Sequence, residues 1–92
     1  NIAVEPDTGK VYRDGEPIAV TKLEYKILMT LFSNPHKIFT REEILNGIWD
    51  MAGNFVNDNT LTVTMKRLRE KLGDKEGNVI VTVRGIGYRL NL

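Results

Sequence analysis

The 92-residue chain contains no cysteine and a single histidine. Without cysteine there is no disulfide framework, no thiolate nucleophile and no thiolate zinc site. His36 follows Asn34 and Pro35 in a polar stretch, so it has no second imidazole with which to share a metal and no place in a Ser-His-Asp arrangement. We therefore predict no catalytic residue, no metal ligand and no cofactor, and a protein that is not an enzyme.

The sequence also lacks a long apolar run. No stretch approaches the roughly 20 apolar residues that a membrane-spanning helix needs, and no charged-then-apolar signal segment opens the chain. We expect a soluble, cytoplasmic protein with no membrane partner. Because the chain begins at Asn1 rather than Met, we also expect it to be part of a longer protein. Ordinary fractions of apolar and charged residues predict one small globular domain over 1–92.

The net charge is only +1, but the charges are unevenly distributed. Residues 1–58 contain six Lys or Arg against nine Asp or Glu, whereas residues 59–92 contain seven against three. A basic C-terminal third beside an acidic remainder is typical of a domain that presents one face to a polyanion. Charge alone leaves open the alternative that these are ordinary solvated side chains.

Both ends of the chain predict β-structure. Residues 1–20 alternate short apolar segments with turns rich in Pro, Asp and Gly, which indicates antiparallel strands, the third of them over 18–20. Residues 79–92 hold two runs of β-branched and aromatic residues on either side of Arg84-Gly85. These runs indicate a closing β-hairpin.

The middle of the chain, residues 21–72, predicts three helices. The first two begin at capping boxes, Thr21–Glu24 and Thr40–Glu43, and each continues with apolar residues at helical spacing. Asn57 can cap the third helix, and Gly73 ends it. Strands, three helices and a hairpin, in this order, predict an α+β winged helix-turn-helix.

The third helix is apolar on one side and polar and basic on the other. At 100° per residue its leucines and methionine fall within one sector, which we expect to pack on the first two helices. The opposite side suits a major groove, where cations donate to guanine and a β-branched side chain meets thymine methyl groups, although a solvated basic face has the same composition. We predict base contacts from Asn59, Val63, Lys66 and Arg67, and backbone contacts from Thr60, Thr62 and Arg69 at the margins.

The turn of the closing hairpin places Arg84 among glycines that permit positive φ and a close approach of backbone to a ligand. Such a tip can reach DNA, but read alone it is equally an ordinary tight turn. It is not a phosphate-binding loop, because Gly85-Ile86-Gly87 lacks the third glycine and no helix follows.

Four segments of the chain carry a further pattern. They are Leu23–Leu28 in helix 1, Thr40–Leu45 with Trp49 in helix 2, Leu68–Leu72 in helix 3 and Thr82–Arg89 in the wing. In this order they resemble the C-terminal effector domain of the OmpR/PhoB family of two-component response regulators, and the resemblance spans essentially the whole chain. It implies a four-stranded N-terminal sheet, three helices and a hairpin wing, in the output domain of a phosphorylation-controlled transcription factor.

The resemblance also implies residue roles. Arg67 matches the base-reading arginine of the family, and Arg84 matches the wing residue that enters the minor groove. The loop 50–56 matches the segment that the family is thought to offer to RNA polymerase. Lys66 and Arg69 match phosphate or groove contacts, and Trp49, Thr82 and Tyr88 match contacts to the DNA backbone.

The chain departs from the family early in helix 3, where many members carry Arg, Asp and His and this sequence has Asn59, Thr62 and Thr64. The operator sequence therefore cannot be transferred from relatives. One domain covers only a half-site, so we expect a dimer on tandem half-sites about one helical turn apart. The resemblance implies that the dimer forms through a receiver domain missing from this chain.

An alternative function stays open at this point. The acidic first two thirds and the loop near Met51 would also suit a winged-helix protein-interaction module that docks on RNA polymerase or another protein. This alternative would be favoured if a polymerase subunit bound tightly in the absence of DNA and if substitutions in helix 3 had no effect.

Overall fold

In a computed structural model, the chain is described at residues 2–5, 7–52 and 57–91, with residues 49–52 described by their backbone alone. None of the described helices is long and apolar enough to cross a membrane. The described elements confirm the predicted order of strands, three helices and hairpin. They are β1 (Ile2–Glu5), β2 (Lys10–Arg13), β3 (Glu16–Ile18), α1 (Lys22–Phe32), β4 (Phe39–Thr40), α2 (Arg41–Ala52), α3 (Asp58–Leu72), β5 (Ile80–Val83) and β6 (Gly87–Leu90).

The N-terminal sheet is antiparallel, and the described residues form three strands in the order β1-β2-β3, not the four that the resemblance implied. The third strand covers Glu16–Ile18 instead of the predicted 18–20. The reason lies in the preceding turn, where Asp14 and Gly15 both have positive φ and Arg13 pairs directly with Glu16. Such a two-residue hairpin turn starts the next strand immediately.

The three helices begin and end where side-chain capping predicts. Thr21 and Glu24 exchange side-chain hydrogen bonds with each other's backbone N–H at 2.9 and 3.1 Å, and Thr40 and Glu43 do the same at 2.9 and 3.0 Å. The Asn57 side chain accepts from the backbone N–H of Thr60 at the start of α3. Gly73, with a φ of 70°, ends α3 in the left-handed conformation that favours glycine.

The core lies between the helices and the two sheets. The predicted apolar sector of α3 is buried, which fixes the rotation of this helix about its axis and turns its basic side outward. Thr64, one of the positions at which the chain departs from the family, is buried with this sector. The buried apolar side chains of the helices are Ile27, Leu28, Leu31, Ile44, Ile48, Leu61, Met65, Leu68 and Leu72.

The C-terminal hairpin is part of a three-stranded sheet with the order β4-β6-β5. Its third strand is the two-residue β4, in which Phe39 pairs with Tyr88 and Thr40 with Gly87. A Cβ atom at Gly87 would collide with the carbonyl oxygen of Phe39, so only glycine allows this approach of β6 to β4. The pairing attaches the wing to the segment that enters α2.

Candidate nucleic-acid interface

The outward face of α3 presents the four side chains predicted to contact bases. Asn59, Lys66 and Arg67 are exposed, and Val63 keeps 37% of its surface accessible. No ion pair within the described part of the chain engages Lys66 or Arg67. Both cations are therefore available to an anionic ligand at no cost in lost internal pairs.

Thr60 and Thr62, at the margin of this face, donate hydroxyl hydrogen bonds within the chain. The Thr60 hydroxyl lies 3.1 Å from the Asn57 Oδ1 atom that caps the helix. The Thr62 hydroxyl donates to the carbonyl oxygen of Asp58 at 3.1 Å and accepts from Arg41 Nη2 at 2.6 Å. Both side chains thus help to hold the first turns of α3.

Arg41, the first residue of α2, links three elements of the interface. Its Nε donates to Asp58 Oδ1 at 2.7 Å, and its Nη2 donates to the Asp58 carbonyl oxygen at 2.7 Å, both at the start of α3. Its Nη1 donates to the Tyr88 hydroxyl at 2.9 Å, in β6 of the wing. The hydrogen bond to Asp58 is the main reason that the pKa of Arg41 is raised above its ordinary value.

Sequence reasoning did not single out Arg41, although one signal was present. A cation in the first turn of a helix faces the positive end of the helix dipole, which is unfavourable. Arg41 follows directly on the Thr40 cap, so its position indicates that it is needed for something other than helix formation. The structure supplies the reason, since its guanidinium is engaged by Asp58, Thr62 and Tyr88.

Arg69 attaches the last turn of α3 to the wing. Its Nε and Nη2 donate to the carbonyl oxygen of Ile80 at 3.0 and 2.6 Å, and Nη2 also donates to the Thr82 hydroxyl at 2.5 Å. Three of its donor contacts are therefore satisfied inside the domain. Thr82 itself is exposed, with its hydroxyl oxygen facing Arg69.

The Tyr88 side chain is buried, with 4% of its surface accessible. The guanidinium carbons of Arg41 and Arg69 lie 5.6 and 5.5 Å from the centroid of its ring, within the range of cation–π attraction. Tyr88 therefore lies beneath the surface on which we expected it to contact the DNA backbone.

The wing tip holds the last predicted groove contact. Arg84, Gly85 and Ile86 are exposed, and Gly85 has a φ of 74°. The turn is closed by a hydrogen bond from the Ile86 N–H to the Val83 carbonyl at 3.0 Å, and the Arg41 N–H donates to the Ile86 carbonyl at 3.2 Å. The backbone of the tip is thus tied to α2, while the Arg84 side chain projects into solvent.

Two predicted sites fall outside the described residues. The side chain of Trp49 is not among those described, and neither are residues 53–56 of the loop 50–56. The backbone of residues 50–52 continues α2. Among the residues that the structure describes, no group of three or more His, Asp and Glu side chains could hold a metal ion.

A family model described as the C terminus of transcriptional regulatory proteins matches residues 15–90. The chain belongs to this family, the C-terminal domains of OmpR/PhoB-type regulators. The family consists of winged-helix DNA-binding domains that act in transcription control and not of enzymes. This membership confirms the resemblance, the predicted fold class and the general function, and it does not favour the protein-interaction module.

Individual relatives of this OmpR/PhoB-type domain agree with the assignment. The uncharacterized transcriptional regulatory protein YcbL of Bacillus subtilis is 38% identical over 97% of the chain, which covers 40% of YcbL. The DNA-binding domain of the response regulator AdeR, solved in complex with an intercistronic region, has a TM-score of 0.83 at 34% identity, with 99% of this chain and 93% of that chain covered. The response regulator DrrB, a Thermotoga maritima OmpR/PhoB homologue, has a TM-score of 0.88 at 27% identity, with 99% and 42% covered. The chain spans about two fifths of the length of the curated relatives that it matches.

Proposed function

We propose that this domain binds duplex DNA sequence-specifically, with α3 in the major groove and Arg84 of the wing in the adjacent minor groove. The observation that carries the proposal is the outward face of α3, where Lys66 and Arg67 are exposed beside Asn59 and Val63 and form no ion pair with any other described residue. A planar guanidinium can donate two parallel hydrogen bonds to guanine, and Val63 offers an apolar contact to a thymine methyl group.

The residues of this surface divide into two roles. Asn59, Val63 and Arg67 contact base edges, whereas Lys66 contributes charge that neutralises phosphate and can also reach a base. Five residues support the outward face of α3 through internal hydrogen bonds, namely Thr60, Thr62, Arg69, Thr82 and Tyr88. All of them except the buried Tyr88 also keep accessible atoms that contact the sugar-phosphate backbone. Trp49 is proposed as a further backbone contact by the family resemblance alone.

The whole protein is proposed as a cytoplasmic response regulator. Its missing part would include a receiver domain that pairs two copies on tandem half-sites, since a single α3 spans only a half-site. The loop 50–56 is proposed as the contact to RNA polymerase. The names of the relatives, of which this domain covers about two fifths, support the response-regulator role. The pairing of two copies and the polymerase contact are proposed from the family resemblance alone.

The experiment that tests the proposal is selection from a random duplex library, carried out at two salt concentrations. We expect one enriched motif, and the change of affinity with salt should report several neutralised phosphates. A selection that enriches no motif at either salt concentration would refute sequence-specific binding. The Lys26→Gln variant is a matched control, because it removes an exposed cation from α1 that is not among the residues proposed to contact DNA.

A further inference from the structure

Arg41 contacts both elements that are proposed to read DNA, α3 and the wing. Its guanidinium joins the first turn of α3, at Asp58 and Thr62, to β6 of the wing, at the Tyr88 hydroxyl. Its backbone N–H donates to the carbonyl of Ile86, beside the wing tip. Main chain and side chain of one residue thus contact the wing at two residues, Tyr88 and Ile86, and α3 at two more.

From this geometry we infer that Arg41 is a positioning residue, which fixes the wing relative to α3 so that major-groove and minor-groove contacts are made in one register. The inference rests on the proposed function of α3 and Arg84. The guanidinium is suited to the task because its planar fork directs several donors at fixed angles, whereas a lysine ammonium on a flexible stem acts as a point charge.

The charges at the start of α3 point to the same role. Asp58 stabilises the positive end of the helix, but its side chain is 72% exposed on the side that would face a polyanion. Arg41, whose side chain is 28% exposed, lies 2.7 Å from the Asp58 carboxylate and compensates its charge. The pair therefore allows an acidic residue in the first turn of α3 to lie near the proposed DNA surface without the full repulsion of an unpaired charge.

This role differs measurably from that of a simple phosphate contact. If Arg41 couples the wing to α3, the cost of losing Arg84 must depend on whether Arg41 is present. Contacts that act independently give additive losses, and a double-mutant cycle detects any departure from additivity. A phosphate contact would instead lower the dependence of log affinity on log salt by about 0.9 and leave the cycle additive.

The test measures binding to the enriched duplex for Arg84→Ala, Arg41→Gln and the double variant, with Arg41→Lys and Lys26→Gln alongside. We expect Arg84→Ala to lose about tenfold in affinity in the wild-type background, near the low end for a groove contact, and less than about twofold with Gln at position 41. Arg41→Lys keeps the charge, but it should reduce the affinity loss of Arg84→Ala as Arg41→Gln does. In the Lys26→Gln background, Arg84→Ala should still lose about tenfold in affinity.

The outcomes separate the two proposals. Two results overturn the positioning role alone. One is that the affinity losses of Arg84→Ala and Arg41→Gln are additive on an enriched motif. The other is that Arg84→Ala loses as much affinity in the Arg41→Lys background as in the wild type. The absence of any enriched motif overturns the proposed function and this inference with it. If Arg41→Gln does not fold, as judged by its thermal unfolding, Tyr88→Phe replaces it in the cycle, because this variant removes the hydroxyl acceptor and keeps both Arg41 and the ring. An additive cycle with Tyr88→Phe then overturns the inference.

Discussion

The guanidinium carbon of Arg69 lies 5.5 Å from the centroid of the Tyr88 ring, and the same guanidinium donates two hydrogen bonds to the carbonyl oxygen of Ile80. These contacts join the last turn of α3 to both strands of the wing. It places Arg69 among the groups that hold the domain together, whereas the family resemblance alone assigns it to phosphate or groove contacts.

Replacement of Arg69 by alanine should therefore lower stability more than it lowers DNA affinity. The variant loses the bonds to Ile80 and Thr82 and leaves the Ile80 carbonyl without these donors, which should cost about 1–3 kcal/mol in the free energy of unfolding. Urea denaturation measures this loss. Lys22→Gln, at an exposed position of α1, is the control for a lost charge. Unchanged stability, together with a smaller salt dependence of DNA binding, would show that Arg69 acts on phosphate instead.

Two glycines should respond in opposite directions to replacement by alanine. Gly87→Ala should destabilise the domain by about 1–3 kcal/mol or more, since the added methyl collides with the Phe39 carbonyl oxygen and separates β6 from β4. Gly47→Ala, in α2, meets only Thr30 Oγ1 at 3.6 Å and should stabilise by roughly 0.5–1 kcal/mol. Thermal unfolding of both variants measures these changes in stability. Equal changes for Gly87→Ala and Gly47→Ala would be inconsistent with the close approach of β6 to β4.

The two capping boxes should differ in their contribution to stability. The Glu24 carboxylate is buried, accepts from the Thr21 N–H and lies 2.6 Å from Lys71 Nζ. Since Lys71 is partly exposed and stays solvated without its partner, Glu24→Ala should cost about 1–3 kcal/mol, mainly for the lost buried hydrogen bonds. The equivalent Glu43 is exposed and lies 3.5 Å from Lys37, and loss of such a cap typically costs about 1 kcal/mol or less. Denaturant titration should rank the variants in this order, and the reverse order would contradict the structure.

The pKa of Glu43 should lie below its ordinary value in the folded protein. Its carboxylate accepts from the Thr40 backbone N–H, which is the main cause, and the nearby Lys37 ammonium adds to the effect. Because the folded state lowers this pKa, the contribution to stability is present above the unfolded pKa and is lost as pH falls through the folded one. A carbon-detected NMR titration of Glu43 should show a midpoint below that of the urea-unfolded chain, and a midpoint at or above it would be inconsistent with this hydrogen bond.

Much of the fold follows from local rules in the sequence. Thr21, Thr40, Asn57 and Gly73 mark helix boundaries through hydrogen bonds that span only three or four residues, so a sequence pattern contains them completely. Strand β4 could not be predicted in this way. It is two residues long and exists because Phe39 pairs with Tyr88, far along the chain.

The candidate site was predictable where helical periodicity decides it. Burial of Leu61 and Met65 turns Val63 and Arg67 outward, as the angular positions require. Contacts between distant elements were not predictable, because no local pattern shows that Arg41 would reach Tyr88, 47 residues away. Long side chains with several donors find partners that only the tertiary structure brings near.

The most direct test of the outward face of α3 compares DNA binding by Arg67→Ala and by Lys66→Ala. Binding is measured on a duplex that carries the motif enriched in the selection and on each of its single base-pair variants. We predict that Arg67→Ala loses about 1–3 kcal/mol and no longer discriminates at about one base pair, whereas Lys66→Ala weakens binding to all duplexes by a similar factor and lowers the salt dependence. Retention of full discrimination at every base pair by Arg67→Ala would contradict the assignment of the outward face of α3 to the major groove.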